Sequence, residues 1–138
     1  DLVEDFLFLK ELDPEMVGIG PFIAHKDTPF CNERSGTLDD TLFYLALLRL
    51  MLPNVLLPAT TALGTIHPRG REMGVLSGAN VVMPNLSPVS VRKKYMLYDG
   101  KICTGDEAAE CRMCLSRRME RIGCEVVTDR GDYKKRLA

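Results

Sequence analysis

Residues 54–84 read NVLLPATTALGTIHPRGREMGVLSGANVVMP: two short apolar runs, Asn54–Thr60 and Asn80–Pro84, on either side of a stretch with helix signals. Short apolar runs bounded by Pro and Asn suit strands that are buried on both faces. Between them, Thr61, Gly64 and His67 read as a loop, Pro68 suits a first helical turn, and Gly78 suits the cap after Leu76. A strand, a helix and a second strand at this spacing form a right-handed crossover that sets the two strands parallel in one sheet.

The same pattern extends toward the N-terminus. Thr37-Leu38-Asp39-Asp40 has a capping hydroxyl and two carboxylates for the positive end of a helix that continues through Leu42, Leu45 and Ala46 to Arg49, before Pro53. Met16-Val17-Gly18-Ile19-Gly20, closed by Pro21, reads as the first strand. Leu2, Val3, Phe6, Leu7 and Leu9 recur at helical spacing ahead of Pro14. The order is αβαβαβ, which predicts an α/β fold with a parallel sheet. The loops after the strand ends, Phe22–Thr28, Thr60–Thr65 and Asn85–Ser90, are expected to converge on one face. The polar segment from Phe22 to Gly36 is too long for a plain connector.

Beyond Asn85 the pattern changes. Ser87-Pro88 opens an extension with Tyr95, Tyr98, Asp99-Gly100 and several cysteines. Thr104-x-x-Glu107 has capping-box spacing ahead of a helix expected through Ala108, Cys111, Leu115 and Met119 to about Ile122, ended by Gly123. A short strand over Cys124–Val127 and a polar tail from Asp129 to Ala138 complete the expectation.

Composition bounds the function. A chain of 138 residues, 46% of them hydrophobic, suits one domain and falls short of the roughly 250 residues of a complete (β/α)8 barrel. With 18 Lys+Arg against 19 Asp+Glu there is no basic excess for nucleic acid. No apolar run is long enough to span a membrane and no signal peptide precedes the fold, so the reading is cytoplasmic. The chain enters helical pattern at once from Asp1, as a piece of a longer protein would.

Several motifs fail. Ile23 stands where the third glycine of G-x-G-x-x-G would fall after Gly18 and Gly20, and the phosphate-loop, His-Glu-x-x-His and Gly-x-Ser-x-Gly patterns are absent. Those glycines suit close backbone approach to a ligand or tight packing. Thr60-Thr61 reads equally as a site pair or as a solvent-facing loop or cap, and His25 and His67 read as surface or capping residues before ligands. The sharpest constellation is Cys103-x7-Cys111-x2-Cys114, in which the last two cysteines share a helix face. Grouped thiolates favour zinc or iron–sulfur, with Cys124 or a water as a fourth ligand; unligated thiols are the alternative. Cys31 stands apart.

Four stretches carry a resemblance: MVGIGPFIAHKDTP (16–29), LPATTALGT (57–65), GANVVMPNLSP (78–88) and YMLY (95–98). Over nearly its whole length the chain resembles the C-terminal half of the HydE-like radical S-adenosylmethionine (SAM) proteins, which help build the active site of [FeFe]-hydrogenase. It is similar more broadly to the biotin and thiamin synthesis associated region of biotin synthase relatives. The resemblance implies a partial (β/α)8 barrel, with residues 1–86 as its last three βα units and residues 87–138 as a helical C-terminal extension. It also implies SAM cleavage at a 4Fe–4S cluster and use of the resulting 5′-deoxyadenosyl radical on a small organometallic substrate.

By motif, Gly18, Ile19, Gly20, Pro21 and Phe22 flank the adenosyl group, and Thr60, Thr61, Met83, Tyr95 and Tyr98 line the substrate cavity. Cys103, Cys111 and Cys114 match the ligands of an accessory iron–sulfur cluster, 2Fe–2S or 4Fe–4S. The resemblance implies other hydrogenase maturases as partners. The Cys-x3-Cys-x2-Cys signature of the SAM cluster is absent from these 138 residues, so the chain alone is expected to cleave no SAM. The alternatives are a free-standing metal or redox module and a fragment of a biotin-synthase-like sulfur-insertion enzyme. The open strand edges of a partial barrel predict self-association.

Overall fold

The computed structural model describes residues 1–95, 97–102, 108–127 and 131–133; the side chains of Lys93 and residues 108–111 fall outside that description. Helix α1 spans Leu2–Leu12 and buries Phe6. It ends where Asp13 turns left-handed (φ 47°) and donates its N–H to the Leu9 carbonyl at 3.1 Å, just ahead of Pro14. Helix α2, Leu38–Met51, starts as expected: Thr37 Oγ1 accepts the Asp40 N–H at 3.1 Å, with Asp39 and Asp40 in the first turn. Leu45 and Leu48 on this helix are fully buried.

The expected first strand is reduced to one parallel bridge, Met16 to Leu56. Val17 N–H donates to Leu56 O, and Leu56 N–H donates to Glu15 O, both at 3.0 Å. The ladder stops there for a local reason: Pro21 lacks an N–H on one side, Pro58 lacks one on the other, and Gly18 and Gly20 offer no side chains to pack. Strands β1 (Pro58–Ala59) and β2 (Val81–Val82) pair in parallel, Pro58 opposite Val81 and Ala59 opposite Val82. Asn80 extends this pairing, because its Oδ1 accepts the Leu57 N–H at 2.8 Å while its own N–H donates to Leu57 O at 2.9 Å.

The loop expected at Thr61–His67 is instead a helix, α3, spanning Thr61–Ile66 and capped by Thr60. Its sequence argues against helix, with Gly64 and the β-branched Thr65 and Ile66. Burial of Leu63 in the core outweighs that preference. Helix α4, Gly70–Leu76, packs against it so closely that a Cβ at position 70 would lie 2.0 Å from the Leu63 carbonyl oxygen. The core joins Leu45, Leu48, Val55, Leu57, Ala59 and Leu63, with Phe6 and Val17 at its margin.

In the extension, α5 (Val89–Arg92) runs into a 3-10 turn over Lys93–Tyr95. Helix α6 covers Ala108–Glu120; the turn that follows ends with Gly123 at φ +76°, which matches the expected stop, while the capping box at Thr104 to Glu107 lies outside the described residues. Cys124–Val127 forms no strand. Cys124 N–H turns back to the Met119 carbonyl (3.0 Å), and a hollow of about 760 Å³, lined in part by Val81, Val82, Met119 and Val126, occupies the space beside β2. Most of the tail from Asp129 also lies outside the described residues.

A charged pair joins α6 to α4. Arg118 donates Nε to Glu72 Oε1 at 2.7 Å and Nη2 to Glu72 Oε2 at 2.6 Å, and Nη2 also reaches the Pro68 carbonyl. Burial by itself would raise the Glu72 pKa, but hydrogen bonding to Arg118 and its positive charge outweigh that and hold the carboxyl below its ordinary value.

Candidate functional site at the strand ends

The end of the first extended segment meets the start of the loop expected after the second. Gly20 lies against Thr60 so tightly that an added Cβ would come within 2.8 Å of the Thr60 hydroxyl oxygen. Thr60 accepts the Leu63 N–H at 3.4 Å, and Thr61 accepts from Arg71 Nη2 at 3.1 Å. Arginine only donates and a backbone N–H only donates, so each hydroxyl keeps its own proton to offer. Two adjacent threonines presenting O–H donors beside glycine backbone can bind an acceptor such as a carboxylate. Arg71 is only 3% exposed, and the bare backbone of Gly64 leaves it room.

Pro21 is buried and Phe22 half exposed, its ring meeting Phe30 edge to face at 6.4 Å. Phe22 O accepts the Gly36 N–H at 2.8 Å, which closes the long polar loop into a compact unit. Gly18 is exposed, and Ile19 packs against the core. The Gly18–Phe22 segment therefore meets the Thr60 side of the site through Gly20. Met83 and Tyr95 are exposed and Tyr98 is half-buried.

Residues 97–102 form a bridge that sequence spacing does not reveal. Asp99 is hydrogen-bonded to Ala24 and Lys26 of the first loop. At the other end, an added Cβ at Gly64 would meet Ile102 at 2.8 Å. The only sequence signal is the Asp99-Gly100 turn pair. His25 is drawn to this bridge, its Nε2 lying 4.0 Å from Asp99 Oδ1, whereas the His67 ring accepts the Arg69 N–H at 3.2 Å within its own turn.

The cysteine constellation is only partly visible. Cys103 lies outside the described residues, Cys111 sits on α6 without a described side chain, and Cys114 is exposed and unbridged. Cys31 and Cys124 are also free. Among the described residues no group of three or more His, Cys, Asp or Glu is placed to hold a metal ion, and no helix is long and apolar enough to cross a membrane.

Two parallel strands joined through helices define an α/β protein. No family model matches the sequence. The chain is, however, 50% identical over 135 residues to the [FeFe] hydrogenase maturase subunit HydE of Thermotoga maritima. The match takes in 98% of this chain and 39% of that protein, so the chain spans about two fifths of the length of the relative it matches. The resemblance read from the four sequence stretches is therefore borne out along nearly the whole chain.

Proposed function

We propose that the chain is the C-terminal portion of a radical SAM enzyme of the HydE type, with residues 1–86 as the last three βα units of a (β/α)8 barrel and residues 87–138 as its extension. The observation that carries this reading is identity at half of all aligned positions across 98% of the chain. The contact of Gly20 with Thr60 supports the assignment of one shared site. In this reading Gly18–Phe22 flank the adenosyl group. Thr60, Thr61, Met83, Tyr95 and Tyr98 line the cavity of a small, organometallic substrate, and the threonine hydroxyls hold its anionic end.

When bound, SAM and its 4Fe–4S cluster supply the adenosyl radical. The residues of this chain orient the substrate and shield it from water. Cys103, Cys111 and Cys114 hold an accessory cluster, 2Fe–2S or 4Fe–4S, with zinc as the competing metal. Two features support that fit: Cys111 and Cys114 are three residues apart on α6, and the thiol of Cys114 is exposed and unbridged. The working compartment is cytoplasmic, other hydrogenase maturases are partners, and the isolated chain self-associates through its open strand edges.

Anaerobic reconstitution followed by iron, sulfide and zinc analysis tests the accessory site. Iron with acid-labile sulfide that is lost in Cys111→Ala is the expected result; a chain that takes up no metal refutes it. The purified 138-residue chain with reductant and SAM should yield no 5′-deoxyadenosine, and sedimentation as a monomer at high micromolar concentration refutes the self-association.

A further inference from the structure

The bridge formed by residues 97–102 is fastened differently at its two ends. At one end the bonds are polar and all made by Asp99. Its N–H donates to the Ala24 carbonyl at 3.3 Å, and its Oδ2 accepts the Lys26 N–H at 3.2 Å. His25 completes this end. The imidazole Nδ1 accepts the Asp27 N–H at 3.1 Å, so the proton of the neutral ring belongs on Nε2, the atom that faces Asp99. The Thr28 hydroxyl donates to the His25 carbonyl at 2.8 Å and steadies the loop beneath.

At the other end the contacts are apolar. Ile102 closes on Gly64, and an added Cβ at Gly100 would meet the Thr65 methyl at 3.8 Å. Gly100 turns the chain between the two ends with φ +71°, and Lys101 Nζ donates to the Tyr95 carbonyl at 2.8 Å, which closes the segment on itself. The apolar end needs only shape. At the polar end the Ala24 bond is backbone, the Lys26 bond depends on the Asp99 side chain, and that residue directly follows Tyr98.

We infer that Asp99 is a positioning residue: it clasps residues 97–102, which also touch Gly64 and Thr65 of α3, the helix that begins at the proposed Thr60–Thr61 site, to the Ala24–Lys26 loop, and so fixes the backbone that carries Tyr98. Its relevance to substrate rests on the reading of that site given above. The clasp itself exists without substrate and can be read without it.

The chain has four tyrosines and no tryptophan, so 3-fluorotyrosine labelling gives a simple fluorine spectrum in which Tyr98→Phe identifies the Tyr98 signal. In Asp99→Ala the Tyr98 signal should move and the Lys26 amide should exchange at least tenfold faster, while the Tyr44 signal and the urea midpoint stay in place. Asp99→Asn keeps an oxygen acceptor for Lys26 and should hold that amide within threefold of the wild type. The inference is overturned if Asp99→Ala leaves both reporters unchanged. It is equally overturned if all the tyrosine signals move together with a fallen urea midpoint, because Asp99 would then serve the fold at large. If S-adenosylhomocysteine moves no tyrosine signal in the wild-type chain, the substrate reading loses support while the clasp measurement stands.

Discussion

Removing the carboxylate charge at Glu72 should release helix α6 before the rest of the fold opens. The Arg118 fork makes two charge-assisted bonds at 2.7 and 2.6 Å, with the Glu72 side chain 9% exposed and that of Arg118 21% exposed. Exposed ion pairs contribute about 0–1 kcal/mol, whereas losing one partner of a buried pair costs roughly 3–5 kcal/mol. This pair lies between those limits, so Glu72→Gln should cost about 2 kcal/mol, a factor of roughly 30 in the opening equilibrium of the α6 contact. Amide exchange over Leu115–Met119 should accelerate by about that factor, while the amides of α2 change little. A double-mutant cycle with Arg118→Met should return a coupling of about 1–2 kcal/mol. Additive single effects, or equal acceleration in α2, would show that the pair does not hold α6 in place.

The pH dependence has a definite sign. The folded-state pKa of Glu72 lies below its ordinary value, so its contribution is complete above the unfolded value, near 4.3 for a free glutamate, and is lost as pH falls through the folded value. The stability gap between wild type and Glu72→Gln should therefore be constant at neutral pH and shrink below about pH 4.

Two further substitutions test the packing. Gly70→Ala places a methyl 2.0 Å from the Leu63 carbonyl, so α3 and α4 must separate; the expected cost exceeds about 3 kcal/mol, and a urea midpoint near wild type would refute the close approach. Leu45→Ala empties a fully buried position on α2 and should cost about 2–5 kcal/mol in urea unfolding; a loss below about 1 kcal/mol would place the core elsewhere.

Local signals in the sequence were read correctly where the physics is local. Thr37 caps α2, Pro53 follows its end, and Gly123 marks the stop after α6, because each acts within one turn of its own position. Helix α3 escaped that reading for the opposite reason. Its composition is poor for helix, and it exists through the burial of Leu63 against elements distant in sequence. The long-range polar ties have the same character: Glu72 and Arg118 are 46 residues apart, and Lys26 and Asp99 are 73. No spacing rule joins residues at such separations. Thr60 and Thr61 fall in a loop expected at a strand end and Gly20 was singled out by the family resemblance, but Arg71, which donates to Thr61, has no motif to mark it.

Two polar fastenings of the extension, Arg118 to Glu72 and Asp99 to Lys26, differ in chemistry, and this makes them separable. The Arg118 fork needs the carboxylate charge of Glu72, whereas the Lys26 N–H needs only an acceptor oxygen at Asp99. Glu72→Gln should therefore loosen α6, with its cysteines, without freeing residues 97–102. A metal bound on α6 would favour the docked helix only if it bound that form more tightly than the released one. Because Glu72→Gln shifts the opening by a factor of about 30, a contact that is docked in all but one part in a thousand would still be about 97% docked. Metal loading should then be almost unchanged in Glu72→Gln even though exchange over α6 rises sharply. A large loss of loading would mean that α6 is already near release in the wild-type chain, and that the 2.6 and 2.7 Å bonds to Glu72 are most of what keeps it in place.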